Sequence, residues 1–444
     1  LLLFMLIRGV RDGRVWAWGG IALVTGLAVL SPHPQLLQYM LLAAGAFGLY
    51  LGFGRWNDSR LGRGGAVRRL AFALGAVAIG FLIGAIQYYP VLEYVDWSPR
   101  AGGKGYDHGS SFSFPISELF NMYLPQFTGI LDNYWGDNGI HFHSEYLGPA
   151  MLILATVAIG ATGKAAAMAR SFKWFWLGVL VISLLWALGG YTPFYLLIWN
   201  IVPGTQFFRA PSTMIFVTTF ALAVFTAIGA ERLLTTPTFD MKLVYAWCGA
   251  ATIIALLGVT GALTNLGVSL VGNAAYSSGM PVSEKVMANQ GPLALGSLRS
   301  MAFTLIMLGV LWAIARGKMP GRAAALAILA VLVVDLWSIE HKYWRFSAPA
   351  AQMYASDATI DYLKARNDSA RVLALVLAQS THRDMMLHGD GLMVHEVRQA
   401  FGYHGNELGR YRALSCAGNP SGRSNESGPV MAQPNIRSLL NVRY

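Results

Sequence analysis

Apolar residues along this chain gather into long runs that are separated by polar, glycine-rich and arginine-rich segments. A membrane-spanning helix needs about 20 mostly apolar residues, and nine runs are of that order, some of them at the short end. The runs lie at 15–30, 36–54, 70–89, 148–163, 174–190, 214–230, 243–262, 300–315 and 323–339. Residues 1–7 have the composition of the end of a further span, so we expect the chain to begin inside a longer bundle. The pattern predicts an all-α polytopic membrane bundle over residues 1–340.

The composition agrees with this pattern and excludes two other classes of protein. Of the 444 residues, 55% are hydrophobic and only 12% are charged, whereas about a quarter of the residues in a soluble protein are charged. A chain this apolar is neither wholly soluble nor intrinsically disordered. Cys248 and Cys416 are too few to build a disulfide framework.

The basic residues are distributed unevenly between alternate loops, which predicts the orientation of the bundle. One set of loops carries sixteen of them, namely Arg8, Arg11, Arg14, Arg55, Arg60, Arg63, Arg68, Arg69, Lys164, Arg170, Lys173, Arg232, Lys242, Arg316, Lys318 and Arg322. The alternate loops carry only Arg100, Lys104, Arg209, Lys285 and Arg299. Since basic loops face the cytoplasm, the net charge of +11 indicates topology, and nucleic-acid binding is not expected. Outer loops 90–147, 191–213 and 263–299 and the segment after Glu340 are then extracytoplasmic.

The last hundred residues differ in character from the bundle. Their composition predicts a helix over 357–366, capped by Ser356 or Asp357, strands over 371–377 and 391–397, and a loop over 418–428. We interpret 341–444 as the beginning of a small extracytoplasmic α/β domain that is incomplete in this chain.

Outer loop 90–147 contains the densest set of residues that could carry chemistry. Carboxylates alternate with aromatic rings there, and the candidate substrate-binding residues are Tyr134, Trp135, Asp137, His141 and Glu145. Such a surface suits sugars, whose hydroxyls pair with carboxylates and whose C–H faces pack on rings, and a carboxylate can act as a general base. The alternative interpretation is an interfacial cap in which the rings form a membrane belt and the acids are merely solvated.

A divalent metal is the one cofactor that this loop suggests. His141 and His143, next to Asp137 and Glu145, offer the imidazole and carboxylate groups that such ions bind. The His-x-His spacing alone is a weak pattern, and hydrogen-bonded loop histidines are more common. We therefore assign no metal ligand from the sequence.

Three further outward segments contain candidate residues. His33 and Gln35 lie in a short turn that prolines make rigid, where they either touch a ligand headgroup or simply satisfy the turn. Arg209 is the only basic residue of loop 191–213, which also holds Tyr191; its guanidinium either binds a phosphate or extends to the lipid phosphates. Asp335, near the end of the last span, is a functional candidate by its position in the membrane, with a structural hydrogen bond as the alternative.

Several short motifs in a constant order resemble the bacterial membrane protein YfhO family. They are residues 33–35 (HPQ), 87–90 (QYYP), 145–148 (EYLG), 190–193 (GYTP), 208–211 (FRAP), 334–336 (VDL) and 440–444 (LNVRY). That family is similar to the GT-C class of polytopic glycosyltransferases, which transfer a sugar from a polyprenyl-phosphate donor to an acceptor on the outer face of the membrane. Its members are linked to envelope polymers such as teichoic acids.

The resemblance implies roles for only a few positions of this chain. The FRAP element makes Arg209 the expected contact for the donor phosphate. The expected catalytic acidic residue belongs to the first outer loop, which precedes the segment present here, so the catalytic residue is unknown. Two interpretations remain: a glycosyltransferase that uses a lipid-linked donor and an envelope glycan or lipid acceptor, or a non-catalytic flippase, exporter or scaffold that binds the same glycans.

Overall fold

The computed structural model describes most of the chain. The described residues are 1–31, 33–54, 62–98, 101–103, 105–138, 145–160, 170–238, 240–271, 276–277, 280–366, 368–374, 390–401, 408–415, 430 and 432–444. The chain divides into two compact units. Unit 1 comprises Leu1–Tyr88 and Lys104–Trp344, and unit 2 comprises Tyr89–Gly103 and Arg345–Tyr444. Unit 2 therefore takes in part of the predicted outer loop 90–147 as well as the C-terminal residues.

Helices make up nearly all of the regular structure in the described residues of unit 1. In chain order they are α1 (Leu2–Leu6), α2 (Trp16–Val29), α3 (Pro34–Phe53), α4 (Arg63–Ile83), α5 (Ala85–Asp96, which continues into unit 2), α6 (Tyr106–Ser110), α7 (Gly148–Gly160), α8 (Arg170–Ala187), α9 (Phe194–Ile201), α10 (Ile215–Thr235), α11 (Met241–Val259), α12 (Ala262–Val271), α13 (Val282–Ala288), α14 (Gln290–Ala315) and α15 (Gly321–Glu340). A π-helical turn covers Ile7–Arg11, and 3-10 turns cover Ile116–Met122, Leu131–Asn133, Gly189–Tyr191, Thr205–Phe207, Pro211–Met214 and His341–Tyr343. Strands β1 (Tyr276–Ser277) and β2 (Met280–Pro281) pair antiparallel.

Seven helices of the described chain are long and apolar enough to cross a membrane. They are α3, α4, α8, the continuous helix Pro211–Thr235, α11, α14 and the segment Gly321–Tyr343. The predicted runs 15–30 and 148–163 instead form the shorter helices α2 and α7, of 14 and 13 residues, and 161–163 lie outside the described residues. The described residues therefore contain seven helices that could span a membrane, the predicted number of nine spans stays a prediction, and the chain is a multi-pass membrane protein.

The predicted outer loop 263–299 is largely helical. It contains α12 and α13, and α14 begins at Gln290 although the apolar run begins at 300. Polar groups at the start and in the first turns of α14 are hydrogen-bonded inside the protein. Ser300 Oγ donates to the carbonyl of Tyr123 at 3.0 Å, and Asn289 Nδ2 donates to the carbonyl of Gln126 at 2.6 Å. A helix can keep such residues when other protein segments, and not lipid, surround them.

Small residues allow the helices of unit 1 to pack closely. A Cβ on Gly229 of α10 would lie 2.0 Å from the carbonyl oxygen of Leu154 on α7, and a Cβ on Gly80 of α4 would lie 2.6 Å from the side chain of Thr25 on α2. Close backbone approach of this kind drives helix association where lipid removes the hydrophobic driving force. These contacts determine which helices are neighbours.

Unit 2 contains the helices α16 (Ala350–Met353), α17 (Ala358–Ala365), α18 (Gly409–Ser415) and α19 (Pro434–Leu439). Helix α17 is the one predicted over 357–366, and the Asp357 carboxylate caps it by accepting from the amide of Ile360 at 2.8 Å. The strand predicted over 391–397 is wrong, because Gly391–His395 is a 3-10 helix.

The predicted strand over 371–377 is present only as a short extended segment among the described residues, which exclude 375–377. It makes two isolated parallel bridges, from Arg371 to Val442 and from Val372 to Gln399. The described part of unit 2 therefore shows parallel pairing, and an α/β domain remains a prediction.

Candidate functional site

The part of the predicted outer loop 90–147 that belongs to unit 1 contains a buried carboxylate that is hydrogen-bonded to a tyrosine. Glu118 belongs to the 3-10 turn Ile116–Met122 and is fully buried. It accepts a hydrogen bond from Tyr134 Oη at 2.5 Å, and the amide of Asn138 donates to the same hydroxyl at 2.8 Å. A Cβ on Gly136 would lie 2.4 Å from Glu118 Oε1, so a glycine is needed where the loop passes over the carboxylate.

Further acidic side chains lie close enough to Tyr134 and Tyr191 to affect the pKa values of these two phenol groups. Burial raises the pKa of Tyr134, and the neighbouring carboxylates of Glu118 and Glu145 raise it further. Burial also raises the pKa of Tyr191, with further contributions from Asp137 and Glu118. Three carboxylates and two phenol groups thus lie near one another, and both phenols remain hydrogen-bond donors at neutral pH.

The backbone carbonyl of Arg209 accepts a hydrogen bond, and its side chain lies over an aromatic ring. Its carbonyl accepts from Gln35 Nε2 at 2.7 Å, and Gln35 also donates to Tyr39 Oη at 2.8 Å. Its guanidinium lies 5.0 Å from the centroid of the Phe112 ring and is exposed. A cation over a ring face is a favourable arrangement that limits the orientations of the guanidinium while leaving its N–H groups accessible.

The segment 111–114 connects Arg209 with Tyr191. The carbonyl of Ser111 accepts from the amide of Ala210 at 2.9 Å, directly after Arg209. Ser113 Oγ accepts from the amide of Gly190 at 2.8 Å, directly before Tyr191. Since Phe112 lies between these two serines, the exposed cation and the acidic cluster occupy neighbouring parts of unit 1.

The other predicted site residues have different surroundings. His33 is exposed and caps α3, where Nδ1 accepts from the amide of Leu36 at 3.4 Å. Gln35 is buried, and its side-chain amide forms hydrogen bonds within the protein. Trp135 is 6% exposed and packs edge-to-face on Phe127 with ring centroids 5.6 Å apart. A substrate-binding role for these three residues stays a prediction.

The possible metal site falls mostly outside the described part of the chain. His141 and His143 lie within 139–144, which the structure does not describe. In the described ranges on either side of that segment and elsewhere, no group of three or more histidine, cysteine or acidic side chains is arranged to hold a metal ion. A divalent metal therefore stays untested.

Asp335 belongs to a hydrogen-bonded cluster that the sequence did not reveal. Its carboxylate accepts from Tyr146 Oη at 2.5 Å and from Arg299 Nη2 at 2.7 Å. Arg299 also donates to Tyr146 Oη at 2.9 Å and through Nε to Ser338 Oγ at 2.8 Å. The surroundings of Asp335 agree with the structural alternative, because these partners come from the residues just before α7 and from α14 and α15.

Two pairs of the motifs that carry the family resemblance meet in the structure. Residues 33–35 and 208–211 meet through the hydrogen bond from Gln35 to the carbonyl of Arg209. Residues 145–148 and 334–336 meet at Asp335, since a Cβ on Gly148 would lie 2.4 Å from its Oδ2. Glu118 was not among the predicted site residues, because no local pattern indicates its burial; of the acidic residues in loop 90–147, the sequence had singled out only Asp137 and Glu145.

These features define a multi-pass membrane protein with an acidic, aromatic loop cluster beside an exposed arginine. Comparison with protein-family models, with curated proteins and with solved structures found no match.

Proposed function

We propose that this chain is part of a GT-C-like membrane glycosyltransferase that resembles the YfhO family. It transfers a sugar from a polyprenyl-phosphate donor to an envelope polymer or lipid on the outer face of the bacterial inner membrane. The observation that carries the proposal is the arrangement around segment 111–114: the exposed guanidinium of Arg209 on one side and, by way of Tyr191, the carboxylates of Glu118 and Asp137 on the other.

Arg209 supplies the cation that a lipid phosphate requires. A guanidinium offers a planar set of N–H donors that pair bidentately with phosphate oxygens, and it stays protonated at every physiological pH. The Phe112 ring and the hydrogen bond from Gln35 hold the residue in place before the donor binds. Less conformational entropy is then lost on binding.

The acidic cluster supplies the groups that a sugar requires. Asp137 is exposed and can accept hydrogen bonds from sugar hydroxyls, while the exposed hydroxyl of Tyr191 can donate to them. Glu118 is buried beneath Tyr134, so it holds the loop and does not contact a substrate directly. We assign no catalytic residue within this chain.

The alternative is a non-catalytic protein, such as a flippase, exporter or scaffold, that binds the same lipid-linked glycan. The burial of Glu118 and its hydrogen bond to Tyr134 favour this alternative, because that carboxylate holds the loop and is not positioned for proton transfer. Binding of the donor is common to both proposals, and sugar transfer separates them.

The experiment uses the full-length protein in lipid nanodiscs with a radiolabelled polyprenyl-phosphate hexose. Arg209→Lys keeps the charge and loses the bidentate geometry, and Arg63→Lys, at the exposed start of α4, is the matched control. Loss of one charge-assisted contact of about 1.5–3 kcal/mol weakens donor binding about 10- to 150-fold, and the control binds normally. Unchanged donor affinity in Arg209→Ala contradicts the proposal, whereas donor binding without transfer to an envelope fraction supports the non-catalytic alternative.

A further inference from the structure

Unit 2 contains an open cavity of about 510 Å³. Its volume lies within the range of roughly 300–1,000 Å³ that is usual for small-molecule sites. Its walls combine two arginines (Arg371 and Arg398), two acids (Asp390 and Glu396) and two aromatic residues (Phe401 and Tyr411). Such a mixed lining differs from that of an apolar surface groove.

Backbone pairing places the two arginines on one wall. Val372 pairs in parallel with Gln399, with its amide donating to the carbonyl of Arg398 at 2.8 Å and its carbonyl accepting from the amide of Ala400 at 2.8 Å. Because side chains alternate along extended segments, Arg371 and Arg398 leave neighbouring segments on the same face. Like charges in adjacent positions repel each other, so this face is favourable for an anion.

The charged side chains of the cavity retain hydrogen-bonding capacity. Arg371 donates one bond, from Nη1 to the carbonyl of Leu440 at 3.1 Å. Within the described residues of unit 2, no side-chain hydrogen bond or ion pair involves Asp390, Glu396 or Arg398, and all three are exposed. Glu396 also has a φ of 60°, a left-handed conformation that is rare for residues other than glycine.

The aromatic residues complete the lining. Tyr411 donates its hydroxyl to the carbonyl of Ala400, which fixes its ring beside the segment that carries Arg398. Phe401 follows directly in the chain. Ring faces in a cavity of this polarity are suited to the C–H faces of a sugar, while the carboxylates accept bonds from its hydroxyls.

We infer that this cavity binds a sugar that carries an anionic group, either phosphate or carboxylate. The guanidinium groups bind the anion bidentately, and Asp390 and Glu396 bind the ring hydroxyls. The two carboxylates also repel a small free dianion, which brings its charge close to them without the sugar hydroxyls that they bind. This inference is independent of the function proposed for unit 1.

The test is isothermal titration of the full-length protein in nanodiscs with glucose 6-phosphate, glucuronate, glucose and inorganic phosphate. Glucose 6-phosphate and glucuronate should bind about tenfold more tightly than glucose or inorganic phosphate, as loss of one charge-assisted contact implies. Arg398→Gln should remove this preference. Arg443→Gln is the control, because Arg443 is exposed and does not line the cavity.

Several results would overturn the inference. They are equal affinity for glucose and the anionic sugars, equal affinity for inorganic phosphate and glucose 6-phosphate, or unchanged binding in Arg398→Gln. If Arg398→Gln lowers the melting temperature so far that binding cannot be measured, Glu396→Gln tests the same cavity. That variant should weaken glucose 6-phosphate binding about tenfold and should strengthen inorganic phosphate binding, because one repelling charge is removed. Equal binding of glucose 6-phosphate by the variant and the native protein would count against the inference.

Discussion

Replacing Asp335 by alanine should destabilise unit 1 strongly. The carboxylate is 1% exposed and accepts hydrogen bonds from Arg299 at 2.7 Å and from Tyr146 at 2.5 Å. The Arg299 side chain is only 17% exposed, and its guanidinium also lies 4.7 Å from the centroid of the Phe303 ring. Asp335→Ala therefore leaves a largely buried guanidinium without its counter-charge.

The expected loss follows from the cost of an unpaired buried charge. Breaking a buried ion pair by removing one partner costs about 3–5 kcal/mol. Asp335→Asn should cost less, because the amide oxygen can still accept from Tyr146. The double variant Arg299→Met with Asp335→Leu should lie close to the native protein, because both charges and their desolvation cost are removed together.

The assay is reversible unfolding of the full-length protein in mixed micelles by titration with sodium dodecyl sulfate, followed by tryptophan fluorescence. Asp12→Ala is the control: Asp12 also pairs with arginines, but 21% of its side chain is exposed, and such pairs contribute about 0–1 kcal/mol. The reasoning fails if Asp335→Ala costs no more than the control. It fails equally if the double variant is as unstable as Asp335→Ala.

Three further predictions concern backbone conformation and topology. Gly148→Ala should cost about 1–3 kcal/mol, because Gly148 has a φ of +79° and a side chain there would meet a carboxylate. Gly178→Ala, inside α8 with open space around it, should be neutral or slightly stabilising, and an equal loss in both would contradict the explanation. Glu396→Gly should raise the melting temperature of unit 2, since a left-handed residue costs about 1 kcal/mol or more, and should weaken sugar binding; a lower melting temperature argues against strain at this position. In a variant with both native cysteines replaced by serine, Asn200→Cys should react with an impermeant maleimide in intact cells and Thr236→Cys only after permeabilisation, and the reverse result would invert the proposed orientation.

The sequence predicted the part of the fold that depends on local composition. The transfer free energy of a helix into lipid is a sum over its own residues, so seven apolar runs correspond to helices long enough to span a membrane. The capping of α17 by Asp357 is equally local. The same sum failed at the start of α14, because the polar side chain of Asn289 is hydrogen-bonded to the loop that packs against it.

The candidate site depended on contacts between residues far apart in the chain. The carboxylates of loop 90–147 are indistinguishable by composition, and only packing separates the buried Glu118 from the exposed Asp137. Likewise, Arg209 was recognisable as an isolated cation, but its position over Phe112 and its link to Gln35 depend on which helices are neighbours. The length of an apolar run is a property of one segment, so the amino-acid pattern determined the membrane-spanning helices. Hydrogen-bond partners and burial depend on pairs of segments, so the tertiary structure alone decided the arrangement of the site.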